Sequence, residues 1–165
     1  MKHDAMALVT NRRDKHFSSA SKPKKLKLNK NFIALPRDDG DEFFPNGFFE
    51  FNITKLIAFI KSNPALFAIE EIDVKTYAIW DSKTLNEATV ATADISNPII
   101  LAEIRPDQFN VIDGNHRLEK ARRQAVPTIS AYKVMADQHL AFLTSEKSYR
   151  SYVEYWNAKV AEWKE

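Results

Sequence analysis

Residues 99–104, Ile-Ile-Leu-Ala-Glu-Ile, form an almost unbroken apolar run opened by Pro98. A run this short and rich in β-branched side chains suits a strand covered on both faces of its sheet. It predicts a central strand with one layer of structure on each side. Arg105-Pro106-Asp107-Gln108 reads as a turn and Phe109–Ile112 as the returning strand. Gly114, one of only three glycines in 165 residues, follows where the chain must reverse. A helix is expected from about Asn115 to Gln124, and Pro127–Val134 reads as a further strand.

The flanks add helices. Asn52 can cap a helix to about Ser62, with Ile53, Leu56, Ile57 and Ile60 at helical spacing and Asn63-Pro64 ending it. Glu71–Trp80 reads as a strand, Ser82–Ala93 as a helix and His139–Thr144 as a short helical piece. Glu146–Trp163 is an amphipathic helix with Tyr149, Tyr152, Val153, Trp156, Val160 and Trp163 on one face. Residues 36–51 read as a loop turning at Pro45-Asn46-Gly47, with Phe43, Phe44, Phe48, Phe49 and Phe51 packing mostly over the domain. The fold class is α+β: a small mixed sheet with flanking helices. Residues 31–165 are expected to be a single domain.

Residues 1–30 carry nine Lys or Arg against two Asp, a surplus of seven, while the rest of the chain is mildly acidic. They lack a sustained apolar period and are read as a flexible basic arm, with Leu26, Leu28 and Phe32 able to form an edge strand. Arg12, Arg13, Lys24, Lys25 and Lys27 are its candidate nucleic-acid contacts, since lysine and arginine bind backbone phosphates without reading sequence. No cysteine is present, which removes disulfides, thiolate metal sites and cysteine nucleophiles. His3, His16 and His139 are scattered, so no metal site is expected. No apolar run reaches the roughly 18 residues a membrane helix requires. The expectation is a cytoplasmic protein with no membrane partner.

The chemistry concentrates in Asp113-Gly114-Asn115-His116-Arg117. A strand passing through glycine into a helix directs unpaired amides of the first turn at the bend, where the helix dipole favours an anion. Arg117 adds a planar charged fork, and a cation is otherwise unfavourable at a helix N-terminus. Gly114, Asn115, His116 and Arg117 are thus candidate phosphate ligands. Asp113, at the strand end, and His116 are candidate catalytic groups. Asp81 or Glu87 is a possible second carboxylate. By spacing alone the segment also fits a plain strand–turn–helix join.

Val111–Ala121, with the elements around it, resembles the signature of the ParB/sulfiredoxin superfamily. There a Pro-led apolar strand, a second strand running into Gly-x-x-Arg and a helix, and a third strand follow in this order. The resemblance covers roughly residues 70–135. It implies a nucleotide phosphate at the turn, carried by ATP, ADP or CTP with Mg²⁺. Sulfiredoxins carry a cysteine where Asn115 stands, so the resemblance does not extend to their redox chemistry. ParB proteins bear Glu-Arg-Arg after the glycine and a following DNA-binding domain, for which too little chain remains here. The closest local match is Asp-Gly-His-His-Arg of the free-serine kinases, matched at Asp113, Gly114, His116 and Arg117. Ala125 stands where the family often has a helix-ending glycine.

Three functions follow as expectations. The first is a nucleotide-dependent phosphotransferase or hydrolase acting on a nucleotide or phosphorylated small molecule. The second is a DNA-associated module using the basic arm. The third is a partner-binding protein with an idle site, the Tyr/Trp face of the last helix being a candidate interface.

Overall fold

A computed structural model describes residues 22–46, 48–78 and 85–164. Arg12, Arg13 and Asp81 lie outside the described residues. The apolar run becomes β4 (Ile99–Arg105), paired antiparallel with β5 (Gln108–Asp113) and parallel with β6 (Thr128–Val134). β6 in turn pairs antiparallel with β3 (Ile69–Asp73), giving the order β3-β6-β4-β5. Successive side chains of a strand point to opposite faces. Accordingly Ile100, Ala102 and Ile104 enter one core and Ile99 and Leu101 the other. The mixed sheet and the double burial of β4 agree with the sequence reading.

On one face, α3 (Asn115–Arg123) carries the chain from β5 across β4 to β6 and buries Leu118 and Ala121 against Ile99, Leu101 and Val111. On the other lie α1 (Ile53–Ser62) and the long helix α5 (Glu146–Ala161). Asn52 caps α1 by accepting from the Lys55 amide, and Ser145 caps α5 by accepting from Ser148. Tyr149, Tyr152, Val153, Trp156 and Val160 are buried, so the aromatic face of α5 is committed to the core.

Several boundaries differ from the sequence reading. Residues 36–51 are not one loop: β1 (Phe43–Asn46) and β2 (Phe49–Asn52) form an antiparallel hairpin. Phe49 and Phe51 are buried, whereas Phe48 at the tip is exposed. β3 begins at Ile69 and ends at Asp73, whose carboxylate accepts from the Lys75 amide at 2.8 Å. That Asx turn stops the strand before the apolar pattern of 74–80 runs out. α2 is only Glu87–Thr92, capped by the Asn86 side chain, and the piece expected at 139–144 is α4 (Ala136–His139) followed by a 3-10 turn.

The edge strand anticipated at Leu26 and Leu28 is absent. Residues 24–29 instead run along α5 and end in a turn closed by the Phe32 amide on Asn29 O at 3.2 Å. Asn157 binds both backbone groups of Leu26, at 2.8 and 3.0 Å. The Trp156 indole donates to Lys24 O at 2.9 Å, the Asn29 amide donates to the Tyr149 hydroxyl, and Phe32 stacks on Tyr149 at 4.0 Å. No sheet edge reaches this surface, so helix side chains stand in for a strand partner. Within the stretch read as a basic arm, the chain contacts α5 from Lys24 onward, with Lys24, Lys25 and Lys27 exposed.

α3 ends on Ala125 with φ +54°, the left-handed cap geometry that glycine normally supplies. The Val126 amide closes onto Ala121 O at 2.9 Å and fixes that conformation. Ala125→Gly should therefore stabilise the fold by about 1 kcal/mol, the Cβ strain relieved exceeding the entropy glycine adds to the unfolded chain. Thermal unfolding should show a rise of about 2–4 °C; an unchanged or lower midpoint would refute this reading of the cap.

Candidate functional site at the β5–α3 turn

The turn between β5 and α3 begins with Gly114 at φ +98°, ψ 22°. A Cβ at this position would lie 2.4 Å from Ile99 Cγ2 and 2.8 Å from Ile99 Cβ. Two independent demands, a left-handed backbone and absence of a side chain, make this residue glycine. They arise because α3 must turn back over β4 within one residue of the strand end. The first helical bond is Leu118 N–H to Gly114 O, at 2.9 Å. The amides of Asn115, His116 and Arg117 consequently have no acceptor among the described residues. Unlike α1, α2 and α5, this helix has no capping side chain.

A cleft of about 240 Å³ opens beside the first two of these residues, Asn115 and His116. Gly114, Asn115 and His116 form its polar end. Phe43, Phe44, Ile53 and Leu85 form an apolar wall, with Glu42 beside it. The hairpin supplies the two phenylalanines, and a network behind it fixes their position. The Glu42 amide donates to Thr54 Oγ1 at 2.8 Å, and Asn52 donates to Asp41 at 2.9 Å. That bond from Asn52 is the leading cause holding the Asp41 carboxyl below its usual range. The Arg37 guanidinium covers the Phe43 ring at 4.1 Å and is also paired with Glu50.

His116 accepts the Asn86 amide at Nε2, 3.1 Å, which places the ring hydrogen on Nδ1. This bond ties the residue before α2 to the turn and sets the orientation of the ring. The Asn115 side-chain oxygen is buried and has no hydrogen-bond partner among the described residues.

Arg117 takes a different position from its neighbours. Its Nη2 donates to Asp113 Oδ2 at 2.8 Å, an i,i+4 pair with side chains 19% and 22% exposed. Nη2 also passes 2.9 Å from where a Gly114 Cβ would stand, so the guanidinium lies over the glycine. Its free edge borders a second cleft, on the α1 side of the turn. Asp113 borders both clefts. The sequence thus located the turn residues, which the fold gathers, but not their division between two openings.

Glu87 is not brought to the turn. It follows Asn86, whose amide reaches His116, but its carboxylate forms a two-point pair with Arg123 at 2.6 and 3.0 Å and does not line the cleft. The hydrogen bond from Arg123 is the main reason its carboxyl sits below the ordinary range. A helix-to-helix tie between α2 and α3 is the role its contacts define. Phe43 and Phe44 belong to the ring-rich stretch that reads as packing mostly over the domain with one or two rings lining a pocket, Leu85 reads as an inward-facing helix residue, and Glu42 and Asn86 carry no functional signal. Their contribution depends on contacts between segments that lie 30 or more residues from the turn.

Among the described residues no group of three or more His, Asp or Glu is placed to hold a metal, and no helix is long and apolar enough to cross a membrane. No family model, curated protein or solved structure matches this chain.

Proposed function

We propose that the β5–α3 turn binds a phosphate group carried by a nucleotide or another phosphorylated small molecule. The observation that carries this reading is the set of unpaired amides in the first turn of α3 over a left-handed glycine, where Asn115 and His116 line a cleft. Such amides and the positive end of the helix dipole favour an anion. His116 Nδ1–H adds a donor, and Arg117 lying over Gly114 adds positive potential. Phe43 and Phe44 offer an apolar surface on which a base or similar flat body can rest. The order β4–β5–α3–β6 with Gly114 and Arg117 at the turn also supports placing the chain in the ParB/sulfiredoxin superfamily.

Within this reading the reaction is phosphoryl transfer or nucleotide hydrolysis, with catalysis by positioning and charge neutralisation. Asp113 is the carboxylate at hand: Oδ2 is held by Arg117, while Oδ1 can accept from a hydroxyl nucleophile. Mg²⁺ commonly arrives on the phosphates and takes only one or two protein carboxylates, and Asp113 fits that limited demand.

The test is a thermal-shift panel of ATP, ADP, CTP and inorganic phosphate, with and without Mg²⁺. A ligand at 100 times its Kd should raise the midpoint by about 5–10 °C. Arg117→Ala should abolish the shift, because it removes a cation and leaves Asp113 repelling the phosphate; His116→Ala should weaken it. If no ligand moves the midpoint, or Arg117→Ala keeps the full shift, the reading fails.

A DNA-associated role is favoured by a separate observation. In the strap along α5, Leu26 and Leu28 pack inward while Lys24, Lys25 and Lys27 remain exposed, so the lysines are presented on an ordered ridge. Backbone-phosphate binding there should weaken steeply with salt and fall when the three lysines become glutamate. Retention on DNA insensitive to both would exclude it.

A further inference from the structure

The second cleft measures about 180 Å³, room for about six waters, and lies on the opposite side of Asp113 from the phosphate-facing amides. Lys61, in the last turn of α1, and Arg117, in the first turn of α3, both border it. These side chains come from helices on opposite faces of the sheet, and they meet at the end where β4 begins. Arg117 is about four-fifths buried, yet only its Nη2 has an acceptor among the described residues. A buried guanidinium with unused N–H groups retains a strong demand for an anion. Among the described residues Lys61 forms no ion pair that would compete for it.

Apart from Asn97 and Tyr132, the rest of the lining is apolar: Ile57, Ile60, Pro98 and Ile100. Charge decides between ligands. Lys61 and Arg117 bring two positive charges and Asp113 one negative, so the cleft carries a net charge of one. A singly charged anion neutralises it, whereas a dianion would leave the cleft with a net negative charge. The planar edge of a guanidinium also matches a carboxylate.

We propose that this second cleft binds a small monocarboxylate with a short apolar body, its carboxylate on Arg117 and Lys61 and its chain over Ile57, Ile60 and Pro98. The site is separate from the phosphate cleft and does not depend on that reading. Because Asp113 borders both, a ligand here would stand across one carboxylate from whatever occupies the amide cleft.

The experiment is an amide and Arg Nε NMR titration of the full chain with isovalerate, and separately with inorganic phosphate. Isovalerate should give saturable shifts at Asn97, Lys61 and the Arg117 Nε resonance. Lys61→Ala, at an exposed position, should weaken binding about tenfold, the loss of one charge-assisted contact. Arg117→Lys, which preserves charge but not the fork, should weaken it too, and His116→Ala should leave it unchanged. The proposal is overturned if isovalerate gives no saturable shift at these positions, if Lys61→Ala binds it as well as the parent, or if phosphate competes for the same resonances with equal affinity. Phosphate failing to shift the amides of residues 115–117, with isovalerate still bound, would overturn the phosphate reading alone.

Discussion

Gly114→Ala is expected to lower the stability of the protein by about 3–4 kcal/mol and to abolish the anion binding proposed for the turn. Two costs add. An L-residue held at φ +98° is strained by about 1–2 kcal/mol. The new Cβ would also overlap Ile99, which is fully buried in the centre of the sheet, and overpacking of a core costs about 1–3 kcal/mol. Relief requires α3 to lift from β4, and that motion moves Asn115 and His116 away from the cleft. Gly114→Asn separates the causes. Asparagine tolerates left-handed backbone better than alanine but brings the same Cβ against Ile99, so it should lose nearly as much. Urea unfolding measures both variants; a loss below about 1 kcal/mol for Gly114→Ala would mean that the turn is not built as described.

The second large effect is loss of stability in mild acid through His139. Its ring is completely buried, with Nε2 2.7 Å from Glu103 O and Nδ1 without a partner. Burial, opposed in part by the bond to Glu103 O, pushes its pKa down to about 4. The unfolded chain protonates this imidazole near the ordinary value of about 6.5. Above that pH neither state holds the extra proton, and stability is unaffected. As pH falls from 6.5 to 4, the unfolded state gains the proton and the folded state does not, so stability declines by about 3 kcal/mol and then levels. The carboxyls of Asp41 and Asp94, held low by bonds from Asn52 and Ser96, lose their contribution only at lower pH. His139→Asn should be less stable at neutral pH, yet should show no decline between pH 6.5 and 4.5. A wild-type protein with flat stability across that window, or a variant retaining the slope, would contradict this account.

His139 also shows where reading the chain as a string falls short. In sequence it is one scattered histidine; in space it meets the backbone carbonyl of Glu103, and the Tyr152 hydroxyl donates to the same oxygen at 2.7 Å. Tyr152 is held protonated well above the usual range by that burial. The bond joins β4, α4 and α5 at the sheet centre. No local pattern announces a carbonyl shared by side chains 36 and 49 residues away.

What the sequence determined by itself was local. The apolar run at Ile99–Ile104 could be nothing but a strand covered twice, because alternation places half its side chains on each face. Asn52 and Ser145 capped the helices they precede, and Gly114 had to be glycine at a reversal from strand to helix. These outcomes depend on backbone geometry and on neighbours within four residues. The tertiary structure alone decided that the phenylalanines at 43 and 44 would wall a cleft beside Asn115, that Glu87 would be taken by Arg123, and that Arg117 would turn toward Lys61. It also decided that Lys24–Asn29 would lie along α5. Each is a competition among distant partners for the same polar or apolar contact, and its outcome is set by which surfaces the packed sheet and helices bring within a few ångströms of one another.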